Sequence, residues 1–155
     1  MITINCDALT FMASVCVPYM KRNSYMINIA SSAGFVPFPG FAVYGATKSY
    51  VLQLSRALRY ELKSKGIHVM AVCPGPVNTP FFDNSERYTK GISEFKRAHM
   101  NNPVKVVKRA LDGAAFHRSV VVDQPLIGLF RIISNIIPHD FLVGVIGFIL
   151  KVFKI

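Results

Sequence analysis

The stretch SSAGFVPFPGFAVYGATK, Ser31 to Lys48, sets a phenol four residues before an ammonium and thirteen after a hydroxyl, within an otherwise apolar run. A phenol has a pKa near 10 and is a poor base at neutral pH, but a nearby ammonium lowers that value by roughly 1–3 units. Tyr then becomes a usable acid/base. Residues i and i+4 share one helix face, so Tyr44 and Lys48 can project into one cleft. Ser31 falls at the end of the preceding strand, the edge at which open parallel sheets bind ligands, where its hydroxyl can hold a substrate oxygen. A Tyr and a Lys at this interval are common on ordinary helices. The weight lies in the conjunction of Ser at a strand end, Tyr and Lys at the next helix start, and Pro-Gly at the end of the next strand.

These positions need a strand, a helix and a second strand. YMINIA, Tyr25 to Ala30, is short, apolar and Ile-rich, as a buried strand would be. A loop with Gly34, Pro37, Pro39 and Gly40 follows. From about Ala42 to Lys65 there is no Pro, Val51, Leu54, Leu58 and Leu62 recur at threes and fours, and Gly66 stands at a C-cap position, which predicts a long helix. IHVMAVC, Ile67 to Cys73, reads as a second buried strand cut off by Pro74 and Gly75. Two strands bracketing one helix make a right-handed βαβ crossover, the unit of a parallel sheet. Upstream, Ile4, Leu9, Ala13 and Val17 give residues 3–20 a helical pattern that Pro18 weakens at its end. Downstream, residues 83–101 are polar and predict a mobile surface excursion. A helix then starts after Pro103, a strand covers Ser119 to Asp123, and the tail from Pro125 forms two apolar helices separated by Pro138.

The chain has 155 residues, 52% of them apolar and 17% charged, which argues against disorder. Its net charge of +10 divides as +4, +5 and +1 among residues 1–85, 86–118 and 119–155. The Lys and Arg residues lie apart, with no RNA-binding aromatic signature and no zinc-finger spacing, so nucleic acid is set aside as a partner. Cys6, Cys16 and Cys73 form no CxxC pair and are odd in number, as expected of reduced, buried thiols in a cytoplasmic protein; no metal site is expected. The N-terminus MITINCDALT lacks the pattern of a secretory signal. The apolar tail is interrupted by Arg131, Pro138, Asp140, Lys151 and Lys154, and neither run reaches the roughly 20 residues of a bilayer span. It is expected to pack over a substrate cleft or against another subunit, which would make a homo-oligomer, with peripheral contact to a membrane surface as the alternative.

Taken together, INIASS, Ser31, Tyr44-Gly-Ala-Thr-Lys48 and CPGPVNT resemble the short-chain dehydrogenase/reductase family, whose signature is a Ser, a gap, and Tyr-x-x-x-Lys. The resemblance implies an α/β fold: a partial Rossmann-type parallel sheet with flanking helices, residues 1–124 being the later part of a dinucleotide-binding domain and 125–155 its apolar helical tail. It implies hydride transfer between NADP or NAD and a carbonyl/alcohol substrate. Tyr44 would move the proton, Lys48 would lower its pKa and bind the nicotinamide ribose, and Ser31 would polarise the carbonyl. Ser31 rather than Ser32 stands at the family's usual interval of thirteen. Asn5 matches a fourth catalytic position that supports a water relay to the Lys. Pro74, Gly75, Val77 and Thr79 match the segment that fixes the carboxamide. More diffusely, the tail resembles members acting on acyl or steroid-like ketones.

The family fold opens on a strand, a Gly-rich turn and a helix whose N-terminus faces the pyrophosphate. The ten glycines of this chain contain no G-x-G, and Met1 precedes the matching Asn5 by four residues. The resemblance thus covers the second half of a family member, and on the order of 90 residues of βαβ units have no counterpart. Weak or no binding of reduced nicotinamide cofactor is expected of the isolated chain. Two other readings stand beside the enzyme: a truncated, non-catalytic remnant that survives as a pairing subunit, and a membrane-surface protein.

Overall fold

A computed structural model describes residues 1–80 and 100–152 of the chain. Among them, three parallel strands form one sheet in the order β1 (Tyr25–Ile29), β2 (His68–Val72), β3 (Val120–Val121). The β1 and β2 register runs from Tyr25 opposite His68 to Ile29 opposite Val72, and β3 pairs Val120 with Ala71. β2 is central and has helices over both faces. Successive side chains of a strand point to opposite faces, and Ala71 and Cys73 join a cluster with Val51, Leu52, Phe35 and Leu142, while Met70 and Val72 join another with Ala110, Ala114 and Val121. A strand covered on both faces must be apolar throughout, which is why residues 69–73 carry no polar side chain.

The helices are α1 (Ala8–Cys16), α2 (Ala42–Glu61), α3 (Pro103–Ala115), α4 (Pro125–Ile136) and α5 (His139–Val152). α1 is entered through a π-helical turn, Thr3–Asp7, and leaves through a 3-10 turn, Val17–Tyr19, at Pro18. α2 continues into a 3-10 turn, Lys63–Lys65, and Gly66 closes it in the left-handed region at φ 69°, where a residue without Cβ fits best. Pro103 occupies the first turn of α3, and the Asn102 side chain caps it by accepting from the Val104 amide at 2.8 Å. Gly113 lets α3 approach β3 closely, since a Cβ there would meet Val121 Cγ2 at 2.2 Å. Ile127, Phe130, Ile133, Val143 and Ile146 of α4 and α5 pack onto the cluster that holds Phe35 and Val36.

Several elements depart from expectation. β1 is an edge of the described sheet, so Ile29 is 57% exposed where a buried strand was expected. In the first helix Ala13 is buried, but Ile4 is 75% exposed. β3 is two residues long, because the backbone carbonyl of Asp123 is taken by Arg109 and its side chain turns toward Gly75. On α2 the inward face includes Leu52 and Ser55 beside Val51, whereas Leu54 and Leu58 are half-buried. Cys73 is buried and Cys6 half-buried, but Cys16 is exposed rather than structural. Of the expected excursion over 83–101, residues 83–99 lie outside the described residues. No helix among the described residues is long and apolar enough to cross a membrane.

Candidate active site

At the C-terminal ends of β1 and β2 the chain forms a cleft of about 730 Å³. β1 runs into Ser31, whose extended backbone starts a 3-10 turn, Ser32–Gly34, and whose hydroxyl accepts from the Ala33 amide at 3.2 Å. That turn lies against the backbone of α2. A Cβ built on Gly34 would come within 2.7 Å of the Lys48 carbonyl carbon and 2.8 Å of the Ser49 nitrogen, so only glycine permits this approach. The approach places Ser31 beside the first turn of α2, and its side chain is hydrogen-bonded to Tyr44. Lys48, one turn on, extends its Nζ to 5.8 Å from the Tyr44 ring centroid and donates to the Ile29 carbonyl at 3.0 Å.

The electrostatics differ from the simple expectation of an acidified phenol. Burial pushes the Tyr44 phenol above its ordinary value, and the Ser31 hydrogen bond pulls the other way. Burial likewise lowers the Lys48 ammonium below its ordinary value, with Cys6 and Cys73 opposing that shift. Desolvation thus sets the direction of both shifts, and the phenol is held in its protonated form near neutral pH.

Asn5 lines the same cleft from the π-helical turn before α1. Its Nδ2 donates to Thr47 Oγ1 at 3.0 Å, and that hydroxyl donates to the Tyr44 carbonyl at 2.8 Å. Asn5 is therefore tied to the turn that carries Tyr44, and its amide is directed at Thr47. Across the cleft, Pro74, Gly75, Val77 and Thr79 form the opposite wall. All eight residues singled out in the sequence, Asn5, Ser31, Tyr44, Lys48, Pro74, Gly75, Val77 and Thr79, line this one cavity. Phe38, Phe41, Ile127 and Phe130 make the rest of it apolar.

One residue that organises this wall was not singled out in the sequence. Asp123, at the end of β3, is 5% exposed. Its Oδ1 accepts from the Gly75 amide at 2.9 Å, and its Oδ2 accepts from Asn101 Nδ2. Asn101 in turn donates its amide to the Pro76 carbonyl at 2.9 Å and accepts from Asn78 at 3.0 Å. A buried carboxylate that takes amide donors from a turn fixes that turn. The partner is 48 residues away in sequence, so a short motif could not reveal it. The signal that exists is a lone Asp after an apolar strand, at the sheet edge where ligands bind.

A parallel α/β sheet thus brings Ser31, Tyr44 and Lys48 together at the C-terminal ends of its strands. The family model for short chain dehydrogenases matches residues 1–90, and the chain belongs to that family. An uncharacterized oxidoreductase of Staphylococcus epidermidis is 32% identical over 113 residues, 72% of this chain and 47% of that protein. The NADP-dependent 3-hydroxy acid dehydrogenase of Escherichia coli K12 is 38% identical over 86 residues, 54% of this chain and 35% of that one. Among solved structures, a short-chain dehydrogenase from Sphingobium yanoikuyae in complex with NADPH matches with a TM-score of 0.69 at 29% identity, covering 88% of this chain and 56% of that one. The chain spans less than half the length of these two curated relatives.

Proposed function

We propose that this cleft reduces a carbonyl, with Tyr44 as the proton donor, in an oxidoreductase that passes hydride between NADP or NAD and a carbonyl/alcohol pair. The observation that carries the reading is the Ser31 to Tyr44 hydrogen bond beside the Lys48 ammonium inside an apolar cavity. The relatives support the cofactor: one is described as NADP-dependent, and one solved neighbour holds NADPH.

The residues present fit the nicotinamide side of such a cofactor. Pro74, Gly75, Val77 and Thr79 offer backbone groups and a hydroxyl beside the cleft, and Lys48 offers donors at its floor. The cofactor, when bound, supplies the hydride. The chain's own groups do the rest. Ser31 Oγ and Tyr44 Oη converge where a carbonyl oxygen would be held, and donors aimed at that oxygen stabilise the charge it gains. Tyr44 Oη then gives up its proton to it. A phenol kept protonated by burial suits reduction, where it starts as the acid, better than alcohol oxidation, where it would start as the base. Lys48 stabilises the phenolate left behind, and Asn5 holds the Thr47 hydroxyl that braces the Tyr44 backbone. The apolar walls favour a carbonyl flanked by carbon chains or rings, such as an acyl or steroid-like ketone.

The test is reduction of 3-keto esters and cyclic ketones by the purified chain with NADPH, followed by the loss of reduced-nicotinamide absorbance. Because the chain carries no G-x-G turn to hold the pyrophosphate, turnover is expected to be slow and to require NADPH well above micromolar concentration, and Tyr44→Phe should abolish it while leaving the circular dichroism spectrum unchanged. Retained turnover in that variant refutes the assignment. No turnover in the wild-type chain favours a second reading, a non-catalytic pairing subunit. The exposed apolar side chains of Ile4, Phe11, Met12 and Ile29, on the first helix and β1, support that alternative.

A further inference from the structure

The opposite end of the sheet carries a second built site, independent of the cleft. Tyr25 and His68 are the first residues of β1 and β2 and pair in register. Their rings stack at 5.0 Å, and His117, in the turn after α3, stacks on His68 at 4.1 Å with its Nδ1 3.2 Å from the Tyr25 hydroxyl. His117 adopts the left-handed region at φ 52°, which is unfavourable for a residue with a Cβ unless its surroundings hold it there. Arg59 does so, donating from Nη2 to the His117 carbonyl at 2.6 Å and from Nη1 to the Val69 carbonyl at 2.9 Å. A guanidinium has five N–H groups, so Arg59 is fixed by two carbonyls and still has donors to offer.

Arg56 lies three residues before Arg59 on one face of α2, and Lys63 follows in the 3-10 turn that continues it. With His68 and His117 these three cations line a cavity of about 470 Å³ that has no carboxylate in its wall. Positive groups gathered around one cavity repel each other until an anion joins them. His68 registers that repulsion: partial burial first, and then His117 and Arg59, hold its imidazole below the ordinary value.

We propose that this cavity binds a phosphate-bearing anion, held by Arg56, Arg59 and Lys63 and by the imidazoles of His68 and His117. Arg supplies the planar fork that matches phosphate oxygens, and Lys a point charge. The ring stack and the two carbonyl bonds of Arg59 form the site in advance. Occupation of it joins α2, β1, β2 and the turn after α3 at the end of the sheet remote from the cleft.

The test is an NMR titration of the histidine resonances of the full chain with inorganic phosphate, set against chloride at equal ionic strength. Phosphate is expected to raise the His68 pKa saturably. The double variant Arg56→Gln, Lys63→Gln should weaken that saturation by at least about tenfold through loss of charge-assisted hydrogen bonds. Arg56 donates to Gln53 on its own helix and Lys63 is exposed, so the variant should keep its fold; Arg59 is left in place because it ties three elements together. A response to phosphate no larger than that to chloride overturns the proposal, as does a double variant with wild-type affinity. Sedimentation with phosphatidylcholine vesicles containing phosphatidic acid separates the sources of the anion. Pelleting that free phosphate competes away assigns the site to a lipid headgroup, and phosphate binding without pelleting assigns it to a free phosphorylated compound.

Discussion

Replacing Gly34 with alanine tests how the site is assembled. The added methyl would be placed 2.7 Å from the Lys48 carbonyl carbon and 2.8 Å from both the Lys48 oxygen and the Ser49 nitrogen. Carbon atoms rest at about 3.5–4.0 Å, so the Ser32–Gly34 turn and α2 must separate by roughly 1 Å. All three obstructing atoms are helix backbone, which cannot swing aside as a side chain can. Overpacking costs about 1–3 kcal/mol, and a rigid obstacle puts this case at the upper end of that range. For a chain of this size the melting temperature should fall by about 2–4 °C for each kcal/mol. The separation also draws Ser31 away from Tyr44 and removes the hydrogen bond that holds the phenol's pKa down.

Gly34→Ala is therefore expected to melt several degrees below wild type and to move the Tyr44 titration, followed by NMR of ring-labelled tyrosine, further upward. A displacement of about 1 Å at a reacting group costs on the order of a hundredfold in turnover. Two controls bound the result. Gly45→Ala meets the same interface from the helix side with a single 3.1 Å contact to the Ala33 carbonyl and should lose less than Gly34→Ala, while Gly144→Ala meets nothing within 4 Å and should melt close to or above wild type. A Gly34→Ala chain that melts with wild type and leaves the Tyr44 titration unmoved would refute the reasoning.

Other perturbations have equally definite outcomes. Asp123→Asn keeps one acceptor but sets an amide NH2 against the Asn101 amide, and the slackened Gly75 turn should lower stability by about 1–3 kcal/mol; an unchanged urea midpoint refutes it. Ser55→Ala removes the buried hydroxyl that accepts from Asn28 Nδ2 at 2.9 Å and donates to the Val51 carbonyl at 2.7 Å, and stranding the Asn28 amide should cost about 1–3 kcal/mol, read as a lower melting temperature. The Cys73 thiol is pushed by burial from 9.0 up to about 12. A folded-state pKa raised in this way contributes stability that is fully present below pH 9 and is lost as pH rises toward 12, amounting to about 4 kcal/mol. Cys73→Ala should flatten that alkaline limb of a stability-against-pH curve, and a limb of unchanged slope would assign the loss to other groups.

Which parts of this molecule could be read from the sequence follows from how local their causes are. Ser31, Tyr44 and Lys48 lie within one eighteen-residue segment, and their spacing alone sets them on a strand end and one helix face. The α2 stop at Gly66 was legible for the same reason, since a left-handed cap is a property of one residue. The apolar run of β2 spoke for itself because covered faces leave it no polar position. β1 was misread as buried because an apolar composition is the same for a central strand and for one at the edge of the described sheet. The electrostatic expectation failed differently. Spacing gave the proximity of Tyr44 and Lys48 correctly but said nothing of how deeply both are buried, and burial sets the sign of both shifts. What remained hidden are pairs joined across the chain: Asp123 with Gly75, Asn28 with Ser55, Asn5 with Thr47. In each pair the two partners are 27 to 48 residues apart, so neither partner's own sequence neighbourhood names the other. The proposed reacting groups are thus encoded in one contiguous segment with Gly34, whose close approach to α2 brings them together, while Asn5 and Asp123, which brace Thr47 and the Gly75 turn, come from distant parts of the chain. A substitution at Asn5 should accordingly loosen the turn that carries Tyr44 without touching its phenol, and one at Asp123 should loosen the facing Gly75 wall.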